Sequence, residues 1–186
     1  MITVYIKKAE PINEKTEEKI LSSLSKSASD RLKRKRNTSL RLSSLCALSA
    51  LTDEQRTDLE YTESGIPYFK TISKHVSISH SSIYCAVAIS DCSVGIDVED
   101  INGDAESQRL VRFFTENERK EVENGVSPLK IWTKKEALFK YLKNDNINFI
   151  SLDTTQANVY FETINLNDAI LSLYAEKKEK IAIRKL

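Results

Sequence analysis

Glycine and proline are scarce in this chain, four and three in 186 residues, which argues against collagen-like, linker-rich or low-complexity architectures. Three cysteines, Cys46, Cys85 and Cys92, are odd in number and include no CxxC pair, so neither a disulfide framework nor a zinc site is expected. Cys46 and Cys85 sit among apolar neighbours, the usual place of a buried free thiol. No apolar run approaches membrane-spanning length, and the opening "MITVYIKKAE" is too short and too quickly charged for a signal peptide. The expected setting is a reducing cytoplasm, without a membrane. An excess of one charge is also missing. Lys and Arg total 28 against 27 Asp and Glu, a formal +1, so net charge names no partner.

What remains is an ordinary globular composition, 40% hydrophobic and 30% charged, of a length suited to one large domain or two small fused ones. The charges are unevenly placed. "RLKRKR" (31–36) carries five basic residues in six, and "DVEDINGDAE" (97–106) five acids in ten. A basic run is either a solvated helix face or an anion site, most simply for phosphate.

"ITVYI" (2–6) alternates like a strand, and residues 15–29 read as a helix with Ile20, Leu21, Leu24 and Ala28 on one side. A second helix starts near the basic run and carries Leu42, Leu45, Leu48 and Leu51. "ESGIPY" (63–68) is turn chemistry. "HVSIS" (75–79) and "SIYCAVAIS" (82–90) follow as strands, and "SDCS" leads into "VGIDVE", which predicts a hairpin between those last two runs. Thr115 with Glu118 fits a capping box, and Ser127–Pro128 a helix entry. Strand-like runs at 158–163, 169–176 and 180–185 close the chain. Helices feeding small, mostly antiparallel sheets make the class α+β, with halves expected at 1–90 and 91–186.

"VGIDVED" (94–100) then stands out. Strand alternation turns Val94, Ile96 and Val98 one way, and Gly95, Asp97 and Glu99 the other, with Asp100 on the wrong face. Two carboxylates about 7 Å apart along one face can grip a hard cation or the ligands around it. They can equally be the solvated face of an ordinary strand. In "WTKKEALFK" (132–140), Trp132, Glu136 and Lys140 recur at i, i+4 and i+8 along one helix side. That is either an exposed Glu–Lys pair or a second group of site residues. His80 ends a strand among Ser79, Ser81 and Ser82, where it serves the fold or holds a phosphate.

Taken in order, "SGIP", "ISHS", "VGIDVE", "RFFTENE" and "WTKKEALFK" resemble the motifs of the Sfp-type 4′-phosphopantetheinyl transferases from about residue 63 to 143. The resemblance implies a pseudo-dimeric α+β fold of two similar halves in a monomer, with coenzyme A and Mg²⁺ (or Mn²⁺) between them. It implies transfer of phosphopantetheine to a serine of an apo acyl or peptidyl carrier protein, leaving 3′,5′-ADP. Carried over position by position, Asp97, Glu99 and Glu136 would be metal ligands, and Lys135 and Lys140 would face the coenzyme phosphates. Ser79 and His80 would lie at the 3′-phosphate with an early basic residue, Arg36 or, by a register shift, Arg41. Glu118 or a metal-bound water would be the base that takes the serine proton, with Lys140 beside the reacting phosphate; Glu118 is also the N3 residue of its capping box.

Two departures are visible. The family commonly has G-K-P where this chain has Gly65-Ile66-Pro67, and glycines follow the last helix where this chain has "NDNINF" (144–149). Two other functions compete: a non-catalytic coenzyme A or carrier-binding relative, and a Mg²⁺-dependent nuclease. Such nucleases usually carry E-x-K on one strand, and the balanced charge disfavours nucleic acid.

Overall fold

A computed structural model describes residues 1–34, 38–101, 107–144 and 146–185. The first strand, β1 (Ile2–Lys8), buries Ile2, Val4 and Ile6 on one face and turns Tyr5 to the other. Four helices follow: α1 (Glu14–Ser23), α2 (Lys26–Arg34), α3 (Thr38–Ser49) and α4 (Asp53–Asp58). The single helix expected over 15–29 is therefore two. Leu24 is extended at φ −74° and ψ 144°, and the Ser25 hydroxyl accepts the Ala28 amide at 3.2 Å while donating to the Leu59 carbonyl. A serine that caps a new helix competes with continuation of the old one. The break sets a new helical phase for Lys26–Arg34, with Ala28 and Leu32 buried.

β2 (Leu59–Tyr61) and β3 (Pro67–Phe69) pair as a short hairpin, turned by Gly65 at φ +91°. Beyond it lie β4 (His75–His80), β5 (Tyr84–Ser90) and β6 (Val94–Asp100). After a 3₁₀ turn at Arg109–Phe113 come α5 (Glu116–Glu123), α6 (Pro128–Leu142), β7 (Tyr160–Asn165), β8 (Ala169–Ala175) and β9 (Ile181–Lys185). The Thr115–Glu118 capping box forms in both directions, and Ser127–Pro128 opens α6 as N-cap and N1.

One sheet runs β4-β5-β1-β9, and another β6-β8-β7. All their pairings are antiparallel except β1 with β9, which brings the last strand back beside the first. The class is α+β. The hairpin expected between β5 and β6 does not form. Both edges of β5 are taken, by β1 and β4, and β6 pairs with β8 in the other sheet. The second edge of β6 is met by side chains instead: Ser77 Oγ accepts the Ile96 amide at 3.0 Å, and Ser79 Oγ the Val98 amide at 3.3 Å. A strand edge buried without such acceptors would leave unpaired amides, each costing about 1–3 kcal/mol.

The elements stack in layers. Ile2, Val4, Ile6, Ala86 and Ala88 of the first sheet face Val94, Ile96, Val98, Leu171 and Leu173 of the second. The outer face of the first sheet packs through Val76, Cys85, Val87 and Ile89 on Ile20, Leu32, Leu45 and Leu48 of the early helices. The outer face of the second carries α6, with Ala137 and Leu138 on Tyr174. Among the described residues no helix is long and apolar enough to cross a membrane.

Candidate functional site

The site grows out of the alternation of β6. Val94, Ile96 and Val98 are wholly buried between the sheets, so Gly95, Asp97 and Glu99 must face α6. Gly95 decides how close that helix comes. A Cβ built there would lie 2.1 Å from the Ala137 carbonyl oxygen and 2.4 Å from the Tyr141 nitrogen. The missing side chain thus admits the helix backbone itself, and α6 lays Glu136 and Lys140 beside Asp97 and Glu99.

There the groups interlock. Asp97, only 3% exposed, accepts through Oδ1 from the Ser79 hydroxyl and from Lys140 Nζ, both at 2.7 Å. Lys140 also reaches Ser79 Oγ at 3.1 Å. The other oxygen, Asp97 Oδ2, is buried without a hydrogen-bond partner among the described residues. Glu99 Oε1 accepts from the Trp132 indole at 3.2 Å. Burial, with Asp97 adding repulsion, pushes the Glu99 carboxyl up to about 7, against the pull of Trp132 and Lys140. Burial also raises Glu136, where Lys140 opposes it and Asp97 adds to it. Burial works against the Lys140 ammonium, but Asp97, Glu136 and Glu99 together hold its pKa above the ordinary lysine value. The cluster holds three carboxylates and one ammonium, and is short of positive charge.

These side chains line a cleft of about 390 Å³ with Ser79, His80, Arg31, Gly65, Ile66 and Phe139. A side pocket of about 100 Å³ opens beside it, walled by Arg31, His80, Gly65 and Pro67 and floored by Ala28, Leu32, Leu48 and Ile78. One end of the cleft is therefore acidic and the other basic and apolar. That polarity suits an elongated ligand bearing phosphate and an aromatic group, with a cation at the acidic end. Among the described residues, no three His, Cys, Asp or Glu side chains converge as a ready metal cage. Lys140 lies on Asp97 instead.

The structure thus brings together six of the residues singled out in the sequence: Asp97, Glu99, Glu136, Lys140, Ser79 and His80. Two others it places elsewhere. Lys135 and Glu118 pair at 2.7 Å with both side chains 0% exposed, and neither lines the cleft. Lys135 Nζ also donates to the Ile150 carbonyl at 3.4 Å and to that of Leu152. Glu118 also accepts the Thr115 amide at 2.9 Å and the Thr154 amide at 3.0 Å. A lysine with three donors and three partners has none left for a coenzyme phosphate. A carboxylate enclosed at 0% exposure with three donors on it is likewise out of reach of an incoming hydroxyl. In this conformation the pair is a strut joining α5, α6 and the 150–154 segment.

Arg36 lies outside the described residues, and Arg41 is spent on Glu17 at 2.7 Å. Among the described residues of the early basic run, Arg31 reaches the cleft, and sequence reasoning did not single it out. Its guanidinium stacks 5.0 Å from the Tyr61 ring and packs on Gly65, where any Cβ would lie within 2.4–2.6 Å of it. The available signal was the buried pair Ala28 and Leu32 of α2, which puts Arg31 at the border of the packed face. Asp100, set aside for its direction, closes the β4–β5 turn by accepting the Ser82 amide at 2.8 Å and the Ser81 hydroxyl.

Residues 93–184 match the family model of the 4′-phosphopantetheinyl transferase superfamily. The match covers β6, α5, α6 and the last three strands. No curated protein gives a match to the chain.

Proposed function

The chain belongs to the 4′-phosphopantetheinyl transferase superfamily, through residues 93–184, and from that premise we propose that it transfers the 4′-phosphopantetheine of coenzyme A to a serine of an apo acyl or peptidyl carrier protein. In the reaction the serine oxygen bonds to the pantetheine-bearing phosphorus, the bond from that phosphorus to the bridging oxygen of 3′,5′-ADP breaks, and the serine proton is released to water. The observation that carries the reading is the meeting of Asp97, Glu99, Glu136 and Lys140 in one cleft, with Asp97 Oδ2 buried and unpartnered among the described residues.

The donor set fits Mg²⁺. Three carboxylates are hard oxygen ligands, and Mg²⁺ ordinarily takes one or two of them and completes its shell with water and substrate phosphate oxygens. An open arrangement without a closed cage is the form such a site takes. The unpartnered Asp97 Oδ2 is the first oxygen a cation would claim, with Glu99 and Glu136 beside it. When bound, Mg²⁺ supplies charge neutralisation for the diphosphate.

The rest falls to the protein's own groups. Lys140, raised in pKa and held by Asp97 and Ser79, stays protonated and offers its charge to the diphosphate. His80 and Arg31 wall the other end, where the nucleotide phosphate would lie, and Arg31 supplies a cation near the loop position that Ile66 leaves neutral. Glu118 and Lys135 act at a distance, by fixing the pose of α6. The cleft is lined from β4 and α2 on one side and from β6 and α6 on the other, which supports reading the coenzyme as bound between two halves of the chain.

The test is incubation with coenzyme A, Mg²⁺ and several apo carrier proteins, read by intact mass. Gain of one phosphopantetheine on a carrier serine is expected. Coenzyme binding without mass gain on any carrier would favour a non-catalytic binding role.

A further inference from the structure

Trp132 is the sole tryptophan of the chain, and its indole nitrogen lies 3.2 Å from Glu99 Oε1. Its ring is clamped from two sides, by Phe149 at 5.3 Å and 67° and by Phe113 at 5.6 Å and 52°. Phe149 in turn packs on Phe139 of the cleft wall at 5.6 Å. The backbone beyond Phe149 is tied down by Lys135, through the Ile150 and Leu152 carbonyls. The indole N–H is thus delivered to Glu99 by a packed aromatic stack, and the hydrogen bond is charge-assisted whenever Glu99 is ionised. The indole N–H takes one lone pair of Oε1 and fixes the plane of the carboxylate, which favours a cation on Oε2 alone over one gripped by both oxygens.

We propose that Trp132 is a positioning residue that holds Glu99 to single-oxygen ligation and so tunes the site to Mg²⁺ over Ca²⁺. The inference rests on the reading of Asp97, Glu99 and Glu136 as cation ligands. Ca²⁺ takes six to eight oxygens and commonly grips carboxylates through both, whereas Mg²⁺ demands a near-octahedral shell of single-oxygen ligands. Freeing Oε1 removes the restriction that disfavours the larger ion.

The experiment measures Mn²⁺ binding by electron paramagnetic resonance, without coenzyme or carrier, and its displacement by Mg²⁺ and by Ca²⁺. The proteins are wild type, Trp132→Phe and Phe149→Leu. Trp132→Phe keeps an aromatic ring in the clamp and loses only the donor. Its preference for Mg²⁺ over Ca²⁺ is expected to fall about tenfold, the worth of one hydrogen bond to a charged group. A purely structural role would weaken both ions alike. Phe149→Leu keeps the donor and loosens its clamp, and a smaller shift in the same direction, about threefold, is expected from partial loss of the same hydrogen bond. It carries the test alone if Trp132→Phe does not fold. In the wild type, Mn²⁺ should quench Trp132 fluorescence, and Glu99→Gln should abolish the quenching. An unchanged Mg²⁺ to Ca²⁺ ratio in the folded variants would overturn the role given to Trp132 while leaving the three-acid site standing. Failure of the wild type to bind Mn²⁺ at all would overturn the site reading and this inference with it.

Discussion

Gly95→Ala adds one methyl group at the point where helix and strand touch. The new Cβ would stand 2.1 Å from the Ala137 carbonyl oxygen and 2.4 Å from the Tyr141 nitrogen, both backbone atoms that no rotamer change can clear. To restore ordinary contact α6 must withdraw by about 1 Å or more. Overpacking of this kind costs about 1–3 kcal/mol. For a chain of this size each kcal/mol is worth about 2–4 °C in Tm, so a fall of about 2–12 °C is expected in a thermal melt. The functional loss should be larger than the stability loss. Glu136 and Lys140 ride on the displaced helix, and the 2.7 Å contact from Lys140 to Asp97 has no slack. A 1 Å misplacement of positioned groups can cost about 100-fold in rate. The assay is carrier modification by intact mass, run well below the melting point, with kcat and KM for coenzyme A taken separately. Wild-type turnover in a folded Gly95→Ala protein would refute the reasoning, because it would mean that the close seat of α6 on β6 does not set the geometry of the site.

Glu118→Gln should lower stability, since it unbalances the buried pair with Lys135, but kcat at low temperature should stay within about tenfold; general-base loss typically costs about 100-fold or more. Lys135→Met leaves Glu118 uncompensated in the interior and should cost about 3–5 kcal/mol in urea unfolding; full stability would contradict the strut. Lys143 ends α6 in the left-handed region at φ 48°, so Lys143→Gly should raise stability by about 0.5–1 kcal/mol, seen as a rise in Tm. In cation-free protein Glu99 is raised from 4.5 to about 7. Its contribution is therefore full below pH 4.5 and is lost as pH rises through 7, so Tm should fall between pH 5 and 8 and saturating Mg²⁺ should flatten that fall. His75, lowered by burial and by Lys143, works in the opposite sense across the same window, and a His75→Gln background sharpens the measurement.

Much of the site was legible because two periodicities fix directions without tertiary knowledge. Alternation in β6 sends Asp97 and Glu99 one way, and spacing of four along α6 sends Trp132, Glu136 and Lys140 one way. Only their meeting needed the fold. The β5–β6 hairpin was misread because adjacency in the chain says nothing about a change of sheet, and the hydroxyls of Ser77 and Ser79 that meet the β6 edge look like any strand polar face. Glu118 and Lys135 sit in the motifs that suggested chemistry, yet spacing carries no information on burial, and burial decides that they bind each other. Arg31 was missed because the motif order carried over an early basic residue without fixing its register, and composition does not say which member of the basic run packs beside Gly65 and Tyr61.

The central claim is that the acids of β6 and α6 act with Lys140 as one transfer site. It is tested most directly by intact mass of an apo carrier after incubation with coenzyme A and Mg²⁺, comparing wild type with Asp97→Asn and Glu136→Gln, each verified as folded. The account predicts one phosphopantetheine added by the wild type and none by either variant. Modification at the wild-type rate by either variant would contradict it.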